Sequence, residues 1–94
     1  MPQPTILIVD DQPLIRMSLR SALTEFEVLE AGNGIEALEK VEKASVDLIL
    51  LDLDLPGMDG TTTLSILKDS FETKRIPIIV VTSYDDVEEK IKCL

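Results

Sequence analysis

Ninety-four residues leave room for one small domain with a thin core. Eighteen acidic residues against nine basic ones give a net charge of −9, which argues against direct contact with nucleic acid. No apolar run is long enough to span a bilayer, no basic-then-apolar leader is visible, histidine is absent and Cys93 stands alone. These features speak against a membrane span, a signal peptide, a zinc site and an internal disulfide, and they lead us to expect a cytoplasmic setting.

Residues 5–9, TILIV, are β-branched and nearly all apolar, as expected of a strand covered on both faces. Asp10, Asp11 and Gln12 end that run, and Pro13 suits the first turn of a helix. Over residues 13–24 the helical period puts Ile15, Leu19, Ala22 and Leu23 on one face, with Arg16 and Arg20 elsewhere. Residues 26–31 read as a second strand, 32–34 as a turn, and 35–44 as a helix with Ala37, Leu38 and Val41 inward. The third strand is expected over 46–52, a loop over 55–60 and a third helix over 61–69. Residues 76–83 read as a fourth, wholly apolar strand, and 85–94 begin a fourth helix with Val87 and Ile91 inward. Many acids find a plain role on these helices: Glu36 with Lys40, Glu39 with Lys43 and Glu88 with Lys92 have the spacing of surface ion pairs. Asp10, Asp11 and Asp52 do not, because they abut apolar strands.

Strands alternating with helices predict an α/β fold, a doubly wound parallel sheet with helices on both faces. Such sheets bind ligands at the carboxyl ends of their strands. Asp10 and Asp11 end the first strand, Asp52 the third and Thr82 the fourth, so all four should meet at one edge. Converging carboxylates repel one another, and a divalent cation resolves the conflict. A set of hard oxygen ligands with no histidine suits Mg2+. Asp52 can also act as a nucleophile and form an aspartyl phosphate, with the Thr82 hydroxyl bonding a phosphoryl oxygen. Taken singly, Asp10 and Asp11 also suit a helix N-cap, and Thr82 a simple strand end.

The stretches ILIVDDQPLIR, EAGNGIEALE, LILLDLDLPGMDG and IPIIVVTS cover most of the chain. In order and spacing they resemble the receiver domain of two-component response regulators. The resemblance implies a flavodoxin-like fold. Its strand order here would be 2-1-3-4, with the fifth strand, the fifth helix and the lysine that follows that strand missing. Residues 1–94 would then form one receiver domain, incomplete at its C-terminal end. By position, Asp52 resembles the phosphoacceptor and Thr82 the switch hydroxyl. Asp11 and Asp52 resemble direct Mg2+ ligands, Asp10 the acid that holds the ion through water, and the Asp54 carbonyl a further ligand. Asp54 and Tyr84 occupy the positions expected to tune the lifetime of the phosphoryl group. The implied partners are a histidine kinase or phosphotransfer protein, with an output domain or self-association through the apolar IPIIVV edge. The domain itself would be a regulated acceptor and not an enzyme. Two other readings stand beside this one. LLDLDLP resembles the D-x-D signature of haloacid-dehalogenase-type phosphatases, although that signature belongs on a first strand. A phosphorylation-independent interaction module is the other.

Overall fold

The computed structural model describes residues 3–55 and 57–81. Thr82, Tyr84 and the expected fourth helix lie outside the described residues. Four strands, β1 (Thr5–Val9), β2 (Glu27–Ala31), β3 (Leu48–Asp52) and β4 (Ile78–Val81), alternate with α1 (Pro13–Ala22), α2 (Gly34–Lys43) and α3 (Gly60–Asp69). Every strand pair is parallel and the order is β2-β1-β3-β4. This is the doubly wound, flavodoxin-like arrangement expected from the alternation of elements. No helix among the described residues is long and apolar enough to cross a membrane.

The pleat divides the sheet into two faces. Leu7, Val9, Ala31, Ile49 and Leu51 point one way and pack with Ala37 of α2 and Leu67 of α3 in the main core. Burying a side chain of this size contributes about 1.5–3 kcal/mol, so this layer holds the domain together. Ile6 and Ile8 point the other way and are also buried, with α1 on their side. β1 is thus covered on both faces, as its sequence requires.

One helix differs from the sequence reading. α1 has no buried residue: Ile15 and Ala22 are exposed, while Leu19 and Leu23 are half-buried. Arg16, expected away from the packed face, turns toward the sheet, and Arg16 and Arg20 both bind Glu30 of β2. Glu30 occupies a sheet position where an apolar residue would normally meet the helix, so α1 docks there through charge. β4 lies at one margin of the described sheet, where the IPIIVV edge is expected, and Ile79 is 52% exposed.

The turns are more specific than their composition suggests. Asn33 caps α2 by accepting from the Glu36 N–H at 2.9 Å, and Glu36 accepts from the Gly32 N–H at 2.9 Å. This reciprocal cap engages Glu36, so it forms no ion pair with Lys40. Among the described residues the ion pairs are those of Arg16 and Arg20 with Glu30.

Gly60 opens α3 and donates its N–H to the Leu53 carbonyl at 3.1 Å, folding the loop back onto the end of β3. A Cβ there would collide with Leu53 Cα and the Asp52 carbonyl oxygen, both of them backbone atoms. Gly60→Ala is therefore expected to destabilise the domain by about 1–3 kcal/mol, as overpacking does where neighbours cannot yield. Urea unfolding of the variant beside the parent measures the loss, and an unchanged midpoint would contradict the close approach.

Candidate functional site

Parallel register sets the geometry of the strand ends. Val9 pairs with Leu51, so the next residues, Asp10 and Asp52, emerge side by side on the same face. Asp10 prolongs the ladder by one bond, its N–H donating to the Ala31 carbonyl at 3.0 Å. Asp11 follows at the start of the β1–α1 loop and is exposed. Carboxylate oxygens of Asp10, Asp11 and Asp52 all lie within 4.8 Å of one another. Asp10 is buried, with only 6% exposure, and Asp52 is half-buried.

The same local motif holds two of these acids. Asp10 Oδ1 accepts from the Gln12 N–H at 2.9 Å, and Asp52 Oδ1 accepts from the Asp54 N–H at 3.0 Å. Each is a carboxylate bonding the backbone two residues on, a turn that suits aspartate. Each strand therefore stops at a turn closed by its own carboxylate. Asp10 accordingly does not cap α1: the residue at that cap is Gln12, whose side chain makes no capping bond.

Burial raises the Asp52 pKa above the usual carboxylate range, and the charges of Asp10, Asp11 and Asp54 push it the same way. The Asp54 N–H opposes them without prevailing. All four causes of the rise disfavour the ionised form. A cation at the cluster would relieve them together. Three carboxylates from two neighbouring strand ends supply the hard oxygen donors that Mg2+ takes, so the residues present fit that ion.

The comparisons with known proteins agree with this geometry. The family model described as response regulator receiver domain matches residues 6–94. The chain belongs to this family. Sporulation initiation phosphotransferase F of Bacillus subtilis (strain 168) is 40% identical over 85 residues, covering 88% of this receiver and 67% of that protein. The nitrate/nitrite response regulator protein NarL of Escherichia coli (strain K12) is 36% identical over 86 residues, covering 87% and 40%. The high-resolution structure of the chemotaxis response regulator CheY4 of Vibrio cholerae superposes with a TM-score of 0.80 at 32% identity, covering 96% of this chain and 77% of that one. The receiver spans only 28%, 10% and 38% of three other curated relatives it matches, which are much longer proteins.

Of the residues singled out by sequence, the receiver brings Asp10, Asp11 and Asp52 together. Asp54 joins them through its main-chain N–H, while its side chain is exposed. Thr82 and Tyr84 fall outside the described residues. The D-x-D pair, Asp52 and Asp54, sits at the end of the third strand and not the first. Asp59, a further acid in LILLDLDLPGMDG, caps α3, accepting from the Thr62 N–H at 2.7 Å. That bond and the Thr62 side chain hold its carboxyl below the usual range. An acid three residues ahead of a threonine at a helix start was the available signal.

The raised pKa of Asp52 has a definite sign in stability. The folded state favours its protonated form, so its contribution is fully present below the unfolded pKa and is lost as pH rises through the folded one. At neutral pH, without divalent cations, Asp52→Asn is expected to raise the melting temperature by a few degrees. The difference should shrink in acid, where Asp52 is protonated in both states. Thermal unfolding in EDTA across pH checks this, and a melting temperature lowered by the substitution would contradict it.

Proposed function

We propose that this receiver takes one phosphoryl group onto Asp52 from a phosphohistidine of a histidine kinase or phosphotransfer protein, with Mg2+ bound at the cluster. The observation that carries this reading is the convergence of Asp10, Asp11 and Asp52 at the carboxyl ends of β1 and β3. Asp11 and Asp52 would bind the ion directly, Asp10 through a water molecule and Asp54 through its carbonyl. Bound there, Mg2+ supplies positive charge that offsets the carboxylates and the oxygens of the incoming group.

The chain's own residues have distinct tasks in this reading. Asp52 Oδ1 is engaged by the Asp54 N–H, which fixes the carboxylate plane and leaves Oδ2 to attack phosphorus. As the new O–P bond forms, the P–N bond of the donor breaks and its imidazole leaves with the bonding pair. Thr82 would follow the transferred oxygens with its hydroxyl. The phosphorylated receiver then acts on an output domain or partner. Its own part is stoichiometric, as a cytoplasmic acceptor and not a turnover enzyme.

A small phosphodonor with magnesium is expected to label the domain once, and Asp52→Asn should abolish the label. Equal labelling of both proteins would remove Asp52 from the role, and repeated turnover of a phosphate monoester would instead favour the phosphatase reading. Asp11→Ala is expected to weaken Mg2+ binding more than Asp10→Ala, because only Asp11 is assigned direct contact. Calorimetric titration with MgCl2 measures both.

The donor has to bring its imidazole to Asp52, so it must rest on the surface around the cluster. Leu14, three residues after Asp11, is 73% exposed and Met17 is 60% exposed. Apolar residues presented beside an acidic site suit a protein donor and offer nothing to a small one. The double substitution Leu14→Asp and Met17→Asp is expected to slow transfer from a phosphorylated protein donor at least about tenfold, a loss of about 1.4 kcal/mol in the transition state. Labelling by the small phosphodonor should stay near the parent rate. Equal slowing with both donors would place the effect in the chemistry and not in docking.

A further inference from the structure

We propose that Arg16 is a positioning residue of the acidic site. Its guanidinium holds the Asp10–Asp11 peptide so that Asp11 presents its carboxylate to the cation, and Glu30 in turn holds the guanidinium. This inference rests on the Mg2+ reading above.

The peptide that joins Asp10 to Asp11 lies just past the end of β1, where the ladder runs out. Asp10 still has a sheet partner for its N–H, the Ala31 carbonyl. Its carbonyl is taken by a side chain: Arg16 Nη1 donates to Asp10 O at 2.6 Å. A short bond from a charged donor is stronger than an ordinary amide bond. It fixes the plane of the peptide, and that plane determines where the Asp11 Cα and its side chain begin. The Asp10 carboxylate is fixed separately, through Gln12. Asp11 is exposed and lies in the loop, so the restraint on it comes through this peptide.

The guanidinium is itself held. Arg16 Nε donates to Glu30 Oε1 at 3.0 Å, and the Arg16 side chain is only 20% exposed. Arg20 Nε donates to the other Glu30 oxygen at 2.9 Å and Arg20 Nη2 reaches the Val28 carbonyl at 3.2 Å. Although partial burial pushes the Glu30 pKa up, the two arginines hold it below the usual carboxylate range. Glu30 therefore stays charged and keeps the fork of Arg16 aimed at the strand end. The fork matters because one planar group must donate in two directions, to Glu30 and to Asp10 O, which a lysine cannot do. Arg20 shares Glu30 without touching the β1 end, so it serves as an internal control. Any effect of α1 docking in general falls on both arginines, while the effect of the carbonyl bond falls on Arg16 alone.

Groups that orient metal ligands from behind typically change metal affinity by about 10–100-fold when removed. Arg16→Lys and Arg16→Gln are therefore expected to weaken Mg2+ binding by about tenfold or more, and Arg20→Gln by less than about twofold. Titration of the full chain with MgCl2, with thermal unfolding of each metal-free protein alongside, supplies these values. In the metal-free proteins the amide resonance of Asp11, which reports the bond to the Asp10 carbonyl, should move in the Arg16 variants and stay in place in Arg20→Gln. If Arg16→Gln does not fold, Arg16→Lys decides by the same two readouts. Unchanged Mg2+ affinity with an unmoved Asp11 amide would overturn the proposal. Equal loss of affinity in Arg20→Gln would overturn it too, because docking of α1 would then be the cause. A parent protein that fails to bind Mg2+ would overturn the cation reading and the affinity effect with it. The Asp11 amide would still show, separately, whether Arg16 holds the peptide.

Discussion

Three like charges held within 4.8 Å of one another are the constraint around which the rest of the molecule is arranged. The sheet imposes it. Parallel pairing in this register delivers Asp10 and Asp52 to the same face of the same edge, and no loop rearrangement can separate them while β1 and β3 stay paired. The hydrophobic layer under α2 and α3 is what keeps those strands paired. Apolar burial of the strands thus works against electrostatic repulsion, while burial of Asp52 itself, joined by the neighbouring charges, raises its pKa. A site of this kind lowers the stability of the domain as long as its charges stand uncompensated.

The surrounding structure makes the cluster stiff. One oxygen of Asp10 and one of Asp52 are bonded to loop N–H groups, so neither side chain can swing freely away from its neighbours. The β3–α3 loop closes back onto the end of β3 through Gly60, and α3 starts there with its own cap at Asp59. On the opposite face the Arg16–Glu30–Arg20 group holds α1 where an apolar stripe would be expected. Each device acts within a few residues of a strand end. Short loops are what make this possible, because a long one would leave the acids room to relax.

Much of this was legible in the sequence, for identifiable reasons. The strands announced themselves because both faces of β1 are buried, and β3 is buried on one face and half-buried on the other, which calls for unbroken apolar runs. The strand-end acids stood out because a carboxylate against such a run is costly unless it has a task. α1 was misread because periodicity assumes that an apolar face meets an apolar sheet, and Glu30 breaks that assumption from a different element. The pairing of Glu36 with Lys40 failed for a similar reason: the N-terminal cap offered the Glu36 carboxylate the Gly32 N–H, which a solvated ammonium does not displace. Gly60 could not be read at all, because what it approaches is main chain from another element, and composition carries no record of that.

The hydrogen bond from Asp54 to Asp52 deserves weight because it ties charge to shape. Oδ1 of Asp52 anchors the turn that begins the β3–α3 loop, and the same carboxylate carries the charge that the cluster disfavours. An oxygen cannot change its charge without changing its strength as an acceptor. Withdrawing electrons from the Asp52 carboxylate, as protonation would, therefore weakens the bond that closes this turn. Gly60 returns the loop to Leu53, next to Asp52, so the first residue of α3 is tied to the end of β3 by one hydrogen bond. Between that carboxylate and the start of α3 stand one backbone-to-side-chain bond and one backbone bond.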